Sequence, residues 1–253
     1  CQAYDARLMV DDAHSLGVLA DGRGTSAHYG LTDSVDLIMG TFSKSFASLG
    51  GVIVGEAPVI DYIKHHGRAL IFSASMPPAS AAVVLEVLHI LQREPERARR
   101  VMEIGERMRR GYTEMGYCVG ESQTPIVPII IGDDMQTLAL WRALFDAGIY
   151  VNPVVPPAVP PNLSLLRTSY MATHTDEQLD RVLDTFQTVG RSHTSGLTAY
   201  SARRKASLSS PPGTRARSAC HVSTSFRVSE QRRTNTSRVS RSGTRKSWMT
   251  LSV

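Results

Sequence analysis

The strongest constraint on the fold is a pattern that occurs three times in the first quarter of the chain: a short apolar run, then glycine or polar residues. Residues 7–10 (RLMV) lead into Asp11-Asp12-Ala13-His14. Residues 35–39 (VDLIM) lead into Gly40-Thr41-Phe42-Ser43-Lys44. Residues 51–54 (GVIV) end at Gly55. Runs this short and rich in β-formers, bounded by turn residues, read as buried strands of an α/β sheet. In open sheets of that class, ligands collect at the carboxyl ends of the strands. The candidates are therefore Asp11 and His14 after the first run, and Thr41, Ser43 and Lys44 after the second.

Residues 57–65 carry a helical pattern, broken at Met76-Pro77-Pro78, and a longer helix spans 79–92. Pro95 suits the first turn of another helix that runs to about Met115 and stops at Gly116. Its RARR and RMRR clusters alternate with glutamates, which predicts a solvated face rather than a nucleic-acid patch. Farther on, the reading is a strand at 127–131, a helix at 135–147, a short strand at 149–151 and a strand at 164–170. The five prolines of 153–161 predict a loop. Thr175-Asp176-Glu177-Gln178 has the form of a capping box opening a helix at 176–189. Residues 1–91 thus read as α/β, and 92–190 as a small α+β domain with an antiparallel sheet.

Charge divides the chain again. Residues 1–190 hold 15 Lys and Arg against 22 acids, a net of −7, whereas 191–253 hold 13 against one, a net of +12. The last stretch is rich in Ser, Thr and Arg and lacks hydrophobic periodicity, so it is expected to be a disordered basic tail. Such a tail would bind nucleic acid or another anionic surface only through phosphate charge, because it carries no reading motif. Cys1, Cys118 and Cys220 show neither a disulfide framework nor metal-ligand spacing, so no metal is expected and a reducing, cytoplasmic setting is. No apolar run is long enough for a membrane span. The chain opens almost directly into a strand pattern without an initiator Met, as though a preceding segment were absent.

Lys44 lies between small hydroxyl residues, with Gly50-Gly51 just beyond. A lysine amine can form a Schiff base with an aldehyde cofactor, and a carboxylate facing a pyridine nitrogen keeps that ring protonated. Hydroxyls and backbone N–H groups at a turn can hold a phosphate. This is the set expected around pyridoxal 5'-phosphate. VDDAHSLGVLADGRG followed by DLIMGTFSKSFASLGG resembles the α-oxoamine synthases, and the likeness continues through IFSASMPPA, GIYVNPVVPPAVPP and LLRTSYMATHT. It covers about residues 5–190, the C-terminal half of the family pattern.

The resemblance implies a fold-type I pyridoxal-phosphate transferase, similar to aspartate aminotransferase. Residues 1–91 would belong to the large cofactor-binding domain and 92–190 would form the small C-terminal domain. It implies an acyltransferase that condenses an amino acid with an acyl-CoA, with loss of CO2, and works as a homodimer with a shared active site. Asp11 would pair with the pyridinium nitrogen, His14 would hydrogen-bond the phenolic oxygen, and Lys44 would be the Schiff-base lysine and acid/base. Thr41 and Ser43 would contact the phosphate, and Ser73 the phosphate of the neighbouring subunit's cofactor. Arg167 would bind the substrate carboxylate. Within the family, the phrases most resemble the branch that acylates serine, with glycine- and alanine-using branches as alternatives. Val155 stands where the serine branch carries an arginine before its Pro-Pro pair. The family's glycine-rich phosphate turn and ring-stacking residue have no counterpart in this sequence, so the fragment alone is expected to bind the cofactor weakly.

Overall fold

The computed structural model describes residues 1, 4–193 and 247–252. In chain order the elements are β1 (Ala6–Asp11), α1 (Thr25–His28), a 3-10 turn (Thr32–Ser34), β2 (Leu37–Thr41), β3 (Gly51–Gly55), α2 (Ala57–His66), α3 (Arg68–Ile71) and α4 (Pro78–Arg93). They continue with α5 (Glu96–Glu114), β4 (Ile126–Gly132), α6 (Asp134–Asp146), β5 (Asn152–Val154), β6 (Ser164–Ser169), α7 (Asp176–His193) and β7 (Ser247–Ser252). The chain divides inside α5 into two compact units: Cys1–Arg99 with the β7 strand, and the residues from Arg100 onward.

The first unit is built on a four-stranded sheet of order β3-β2-β1-β7. β1 and β2 are parallel, with Met9 opposite Leu37 and Asp11 opposite Met39. β2 begins two residues later than its apolar run suggests, because Asp36 is committed elsewhere. Its carboxylate accepts the Leu8 N–H at 2.8 Å and pairs with Arg7, while its own N–H donates to the Leu8 carbonyl. β3 runs antiparallel to β2 and is an edge strand. It is not buried as the sequence suggests: Ile53 and Val54 are 41% and 53% exposed. The apolar helix α4 likewise has no fully buried residue.

Ser247–Ser252 pairs in parallel with β1 along Ala6–Asp11. The outer edge of β1 presents unpaired N–H and C=O groups, and an extended segment satisfies them. Residues 191–193 complete α7. Residues 194–246, which carry most of the tail reading, lie outside the described residues.

The second unit has an antiparallel sheet of order β4-β6-β5, as the sequence pattern predicts. α5 buries Val101, Ile104, Met108 and Tyr112, spaced three and four apart on one face. Ile104, Met108 and Tyr112 pack with Val127, Ile129, Leu166, Leu179 and Phe186. Of the α5 arginines, Arg97, Arg99 and Arg110 are exposed, whereas Arg109 is only 15% exposed and donates to the Thr124 carbonyl. Arg100 and Arg107 reach Asp176 at 2.6 and 2.7 Å, and Arg109 pairs with Glu106.

The strand expected at 149–151 falls instead at Asn152–Val154, its last two residues in the segment read as loop. Ile149 and Val151 are buried in the core, and pairing with β6 begins only at Asn152. Pro153 is tolerated because β5 is an edge strand, where a missing N–H interrupts no ladder. The capping box forms reciprocally. Thr175 N–H donates to Gln178 Oε1 at 3.0 Å, and Gln178 N–H to Thr175 Oγ1 at 3.3 Å. Among the described residues no helix is long and apolar enough to cross a membrane.

Candidate active site

The site candidates of the first unit gather where β1 and β2 end. Because the two strands are parallel and in register, Asp11 and Thr41 close neighbouring strands at the same edge of the sheet. The Asp12 N–H, bonded to the Met39 carbonyl at 2.7 Å, carries the pairing one step past β1. Successive side chains then leave the sheet on opposite sides. Asp11 is half-buried and Asp12 fully buried. Asp11 Oδ1 accepts the Ala13 N–H at 2.9 Å, turning the chain so that His14 reaches an exposed position.

Lys44 sits on the loop from Phe42 to Gly50. Phe42 and Phe46 are both buried, their rings edge-to-face with centroids 5.5 Å apart. Lys44, midway between these anchors, is exposed, and its amine makes no hydrogen bond or ion pair among the described residues. The backbone closes the loop: Phe42 N–H donates to the Gly50 carbonyl, Ser48 N–H to the Phe42 carbonyl, and Ala47 N–H to the Lys44 carbonyl. Thr41 and Ser43 form a hydroxyl pair at its base, Oγ1 to Oγ 2.9 Å.

Ser73 and Arg167 belong to different units. Ser73 follows α3, and its hydroxyl donates to the Ala69 carbonyl of its own helix at 2.5 Å. Arg167 belongs to the second unit, mid-strand on β6, opposite Pro128 on one side and Asn152 on the other. It is half-buried, on the face opposite the buried Leu166 and Thr168. His174 shapes the turn before α7, with Nδ1 accepting the Met171 N–H at 3.1 Å.

Neither Asp12 nor Ser45 is among the candidates that the sequence singles out. The structure gives both a task. Asp12 Oδ1 accepts the Thr25 N–H at 2.9 Å and the Ser15 hydroxyl, pinning the His14 turn to a segment a dozen residues on. Ser45 reaches the carbonyl of Leu16. The glycine that allows the first approach, Gly24, is its only available sequence signal: at φ +92° a Cβ there would stand 2.4 Å from Asp12 Oδ2.

The ends of two adjacent parallel strands and the turns that follow them therefore carry a carboxylate (Asp11), an imidazole (His14), an exposed primary amine (Lys44) and a pair of hydroxyls (Thr41 and Ser43). That donor set suits a protonated ring nitrogen, a phenolic oxygen, an aldehyde carbon and a phosphate, the four polar features of pyridoxal phosphate.

Fold and site together define a lysine-bearing α/β protein, and the family model for aminotransferase class I and II matches residues 1–186. The chain belongs to that family. It is 52% identical over 182 residues to a serine palmitoyltransferase of Sphingobacterium spiritivorum, an alignment covering 72% of this chain and 46% of the relative. It is 41% identical over 190 residues to an 8-amino-7-oxononanoate synthase of Alkaliphilus oremlandii, covering 75% and 48%. A solved serine palmitoyltransferase, described as SPT with PLP internal aldimine, superposes with a TM-score of 0.71 at 36% identity, covering 74% of this chain and 48% of that one. The chain thus spans about half the length of the curated relatives it matches.

Proposed function

We propose that this chain carries the lysine-bearing half of an α-oxoamine synthase, a pyridoxal-phosphate acyltransferase that joins an amino acid to an acyl-CoA with loss of CO2. The observation that carries this reading is the exposed Lys44 amine, held on an aromatic-anchored loop beyond β2, with Asp11 and His14 beyond the adjacent parallel strand. Bound pyridoxal phosphate supplies an electron sink for the electrons released at the amino-acid Cα.

The residues divide the remaining work. Lys44 would hold the cofactor at its aldehyde carbon, and its amine would move the proton at the amino-acid Cα. The Asp11 carboxylate holds the proton on the ring nitrogen. His14 orients the ring by a hydrogen bond to its phenolic oxygen. Thr41 and Ser43 bind the phosphate by their hydroxyls. Arg167 takes the substrate carboxylate, a role for which a planar guanidinium is suited. Ser73 serves the phosphate of a second copy, which makes a homodimer the working unit.

Serine with a long-chain acyl-CoA is the favoured substrate pair, on the strength of the 52% identical relative. An 8-amino-7-oxononanoate synthase-like activity is the second reading, on the strength of the 41% identical one. The test is the visible absorbance of the full chain titrated with pyridoxal phosphate. A Lys44-dependent band is expected, absent in Lys44→Ala, and no band in the parent chain rejects the enzyme reading. CoA release from palmitoyl-CoA with L-serine, against shorter acyl-CoAs and other amino acids, separates the two substrate readings.

A further inference from the structure

We infer that Ser45 is a positioning residue that sets the reach of Lys44, by tying the Lys44 loop to the turn that carries Asp11 and His14. The inference rests on the cofactor role proposed for Lys44. Ser45 Oγ donates to the Leu16 carbonyl at 2.5 Å, across 29 residues of sequence. The two segments touch as well as bond. At Gly17, where φ is +82°, a Cβ would stand 2.5 Å from Ser45 Oγ and 2.7 Å from Ser45 Cβ. Only glycine lets the turn come this close to the loop.

Both sides of this contact are anchored independently. The turn is fixed by the Ser15 and Leu16 N–H groups on the Asp12 carbonyl, and by the Gly17 N–H on the Gly22 carbonyl at 2.8 Å. The loop is fixed by the buried Phe42 and Phe46. Ser45, the residue directly after Lys44, bonds to Leu16, two residues after His14. It therefore registers the amine against the groups expected to hold the cofactor ring. Reactions that depend on placement within an ångström are sensitive to such a tether.

Ser48 provides an internal control. Its hydroxyl also ties the loop, but to the Ser80 carbonyl at 2.9 Å, away from the turn. General loosening of the loop would follow from losing either hydroxyl, whereas loss of registration follows only from losing Ser45.

The experiment uses the full chain in five forms: parent, Lys44→Ala, Ser45→Ala, Ser45→Thr and Ser48→Ala. Each is titrated with pyridoxal phosphate by absorbance, and hydrogen exchange of the Ala47 and Ser48 amides is followed without cofactor. Ser45→Ala is expected to weaken Lys44-dependent binding roughly three- to tenfold, the worth of one net hydrogen bond. It should also speed exchange at Ala47 and Ser48, with the thermal midpoint unchanged. Ser45→Thr should restore binding, and Ser48→Ala should leave it at the parent value. Binding by Ser45→Ala equal to the parent, or an equal loss in Ser48→Ala, overturns the proposal. If the parent shows no Lys44-dependent band, the cofactor reading fails instead. In that case unchanged exchange in Ser45→Ala rejects the tether, and faster exchange retains it.

Discussion

The carboxylate of Asp12 accepts the backbone N–H of Thr25 at 2.9 Å while the side chain of its neighbour Asp11 remains half-buried at the strand end. Two adjacent acids therefore divide the labour: one is committed to the fold and the other is available to a ligand. Asp12 Oδ1 also takes the Ser15 hydroxyl, so a single oxygen joins the His14 turn to the start of α1.

Replacing that oxygen should be costly. Asp12→Ala leaves the Thr25 N–H and the Ser15 hydroxyl without their acceptor, and is expected to lose about 3 kcal/mol in urea unfolding. Gly24→Ala should also destabilise, because its Cβ would meet Asp12 Oδ2 at 2.4 Å in a left-handed backbone. Parent-like unfolding of both variants would refute the pinning role.

Phe46 is 4% exposed and anchors the Lys44 loop. Phe46→Ala should cost roughly 3–4 kcal/mol through the cavity it leaves, and it should weaken pyridoxal phosphate binding by freeing the loop. Lys44→Ala, by contrast, removes an exposed amine and should change stability by less than about 0.5 kcal/mol. Urea unfolding of the two variants side by side tests the separation of anchor from reactive group.

The second unit should be sensitive to alkali. Burial raises the Tyr117 and Tyr170 hydroxyls to about 12, from an ordinary value of 10. Burial also raises Tyr112, whose hydroxyl lies 2.8 Å from that of Tyr170. A raised folded value means the native state holds these protons more tightly than the unfolded chain. Their stabilisation is complete below pH 10 and is lost as pH climbs towards 12. Urea midpoints should fall across that window, and Tyr117→Phe should flatten the fall. A pH-independent midpoint there would contradict the burial argument.

At the other end of the same unit, Thr175→Ala removes half of the capping box that opens α7. The expected loss is about 1 kcal/mol. Thr175→Ser should retain most of the stability, since the hydroxyl is what caps; equal losses in both would assign the effect to the methyl group instead.

The sequence by itself determined the elements whose signals are local. The run at residues 7–10, the helices around 57–65 and 79–92, the Thr175–Gln178 box and the glycine-bounded loop holding Lys44 all depend on neighbours within a few residues. It also placed Asp11, His14, Thr41, Ser43 and Lys44 after two strands, because strand ends are readable from where apolar runs stop. Tertiary structure alone decided what depends on distant partners. Asp36 delayed β2 by bonding back to Leu8, and β6 drew the pairing on to Asn152–Val154 after Ile149 and Val151 had entered the core. The open edge of β1 took in Ser247–Ser252. Asp12 and Ser45 acquired their roles from Thr25 and Leu16, 13 and 29 residues away. Periodicity and capping act over one or two turns of chain, whereas burial and pairing are set by whichever surface the folded chain brings into reach.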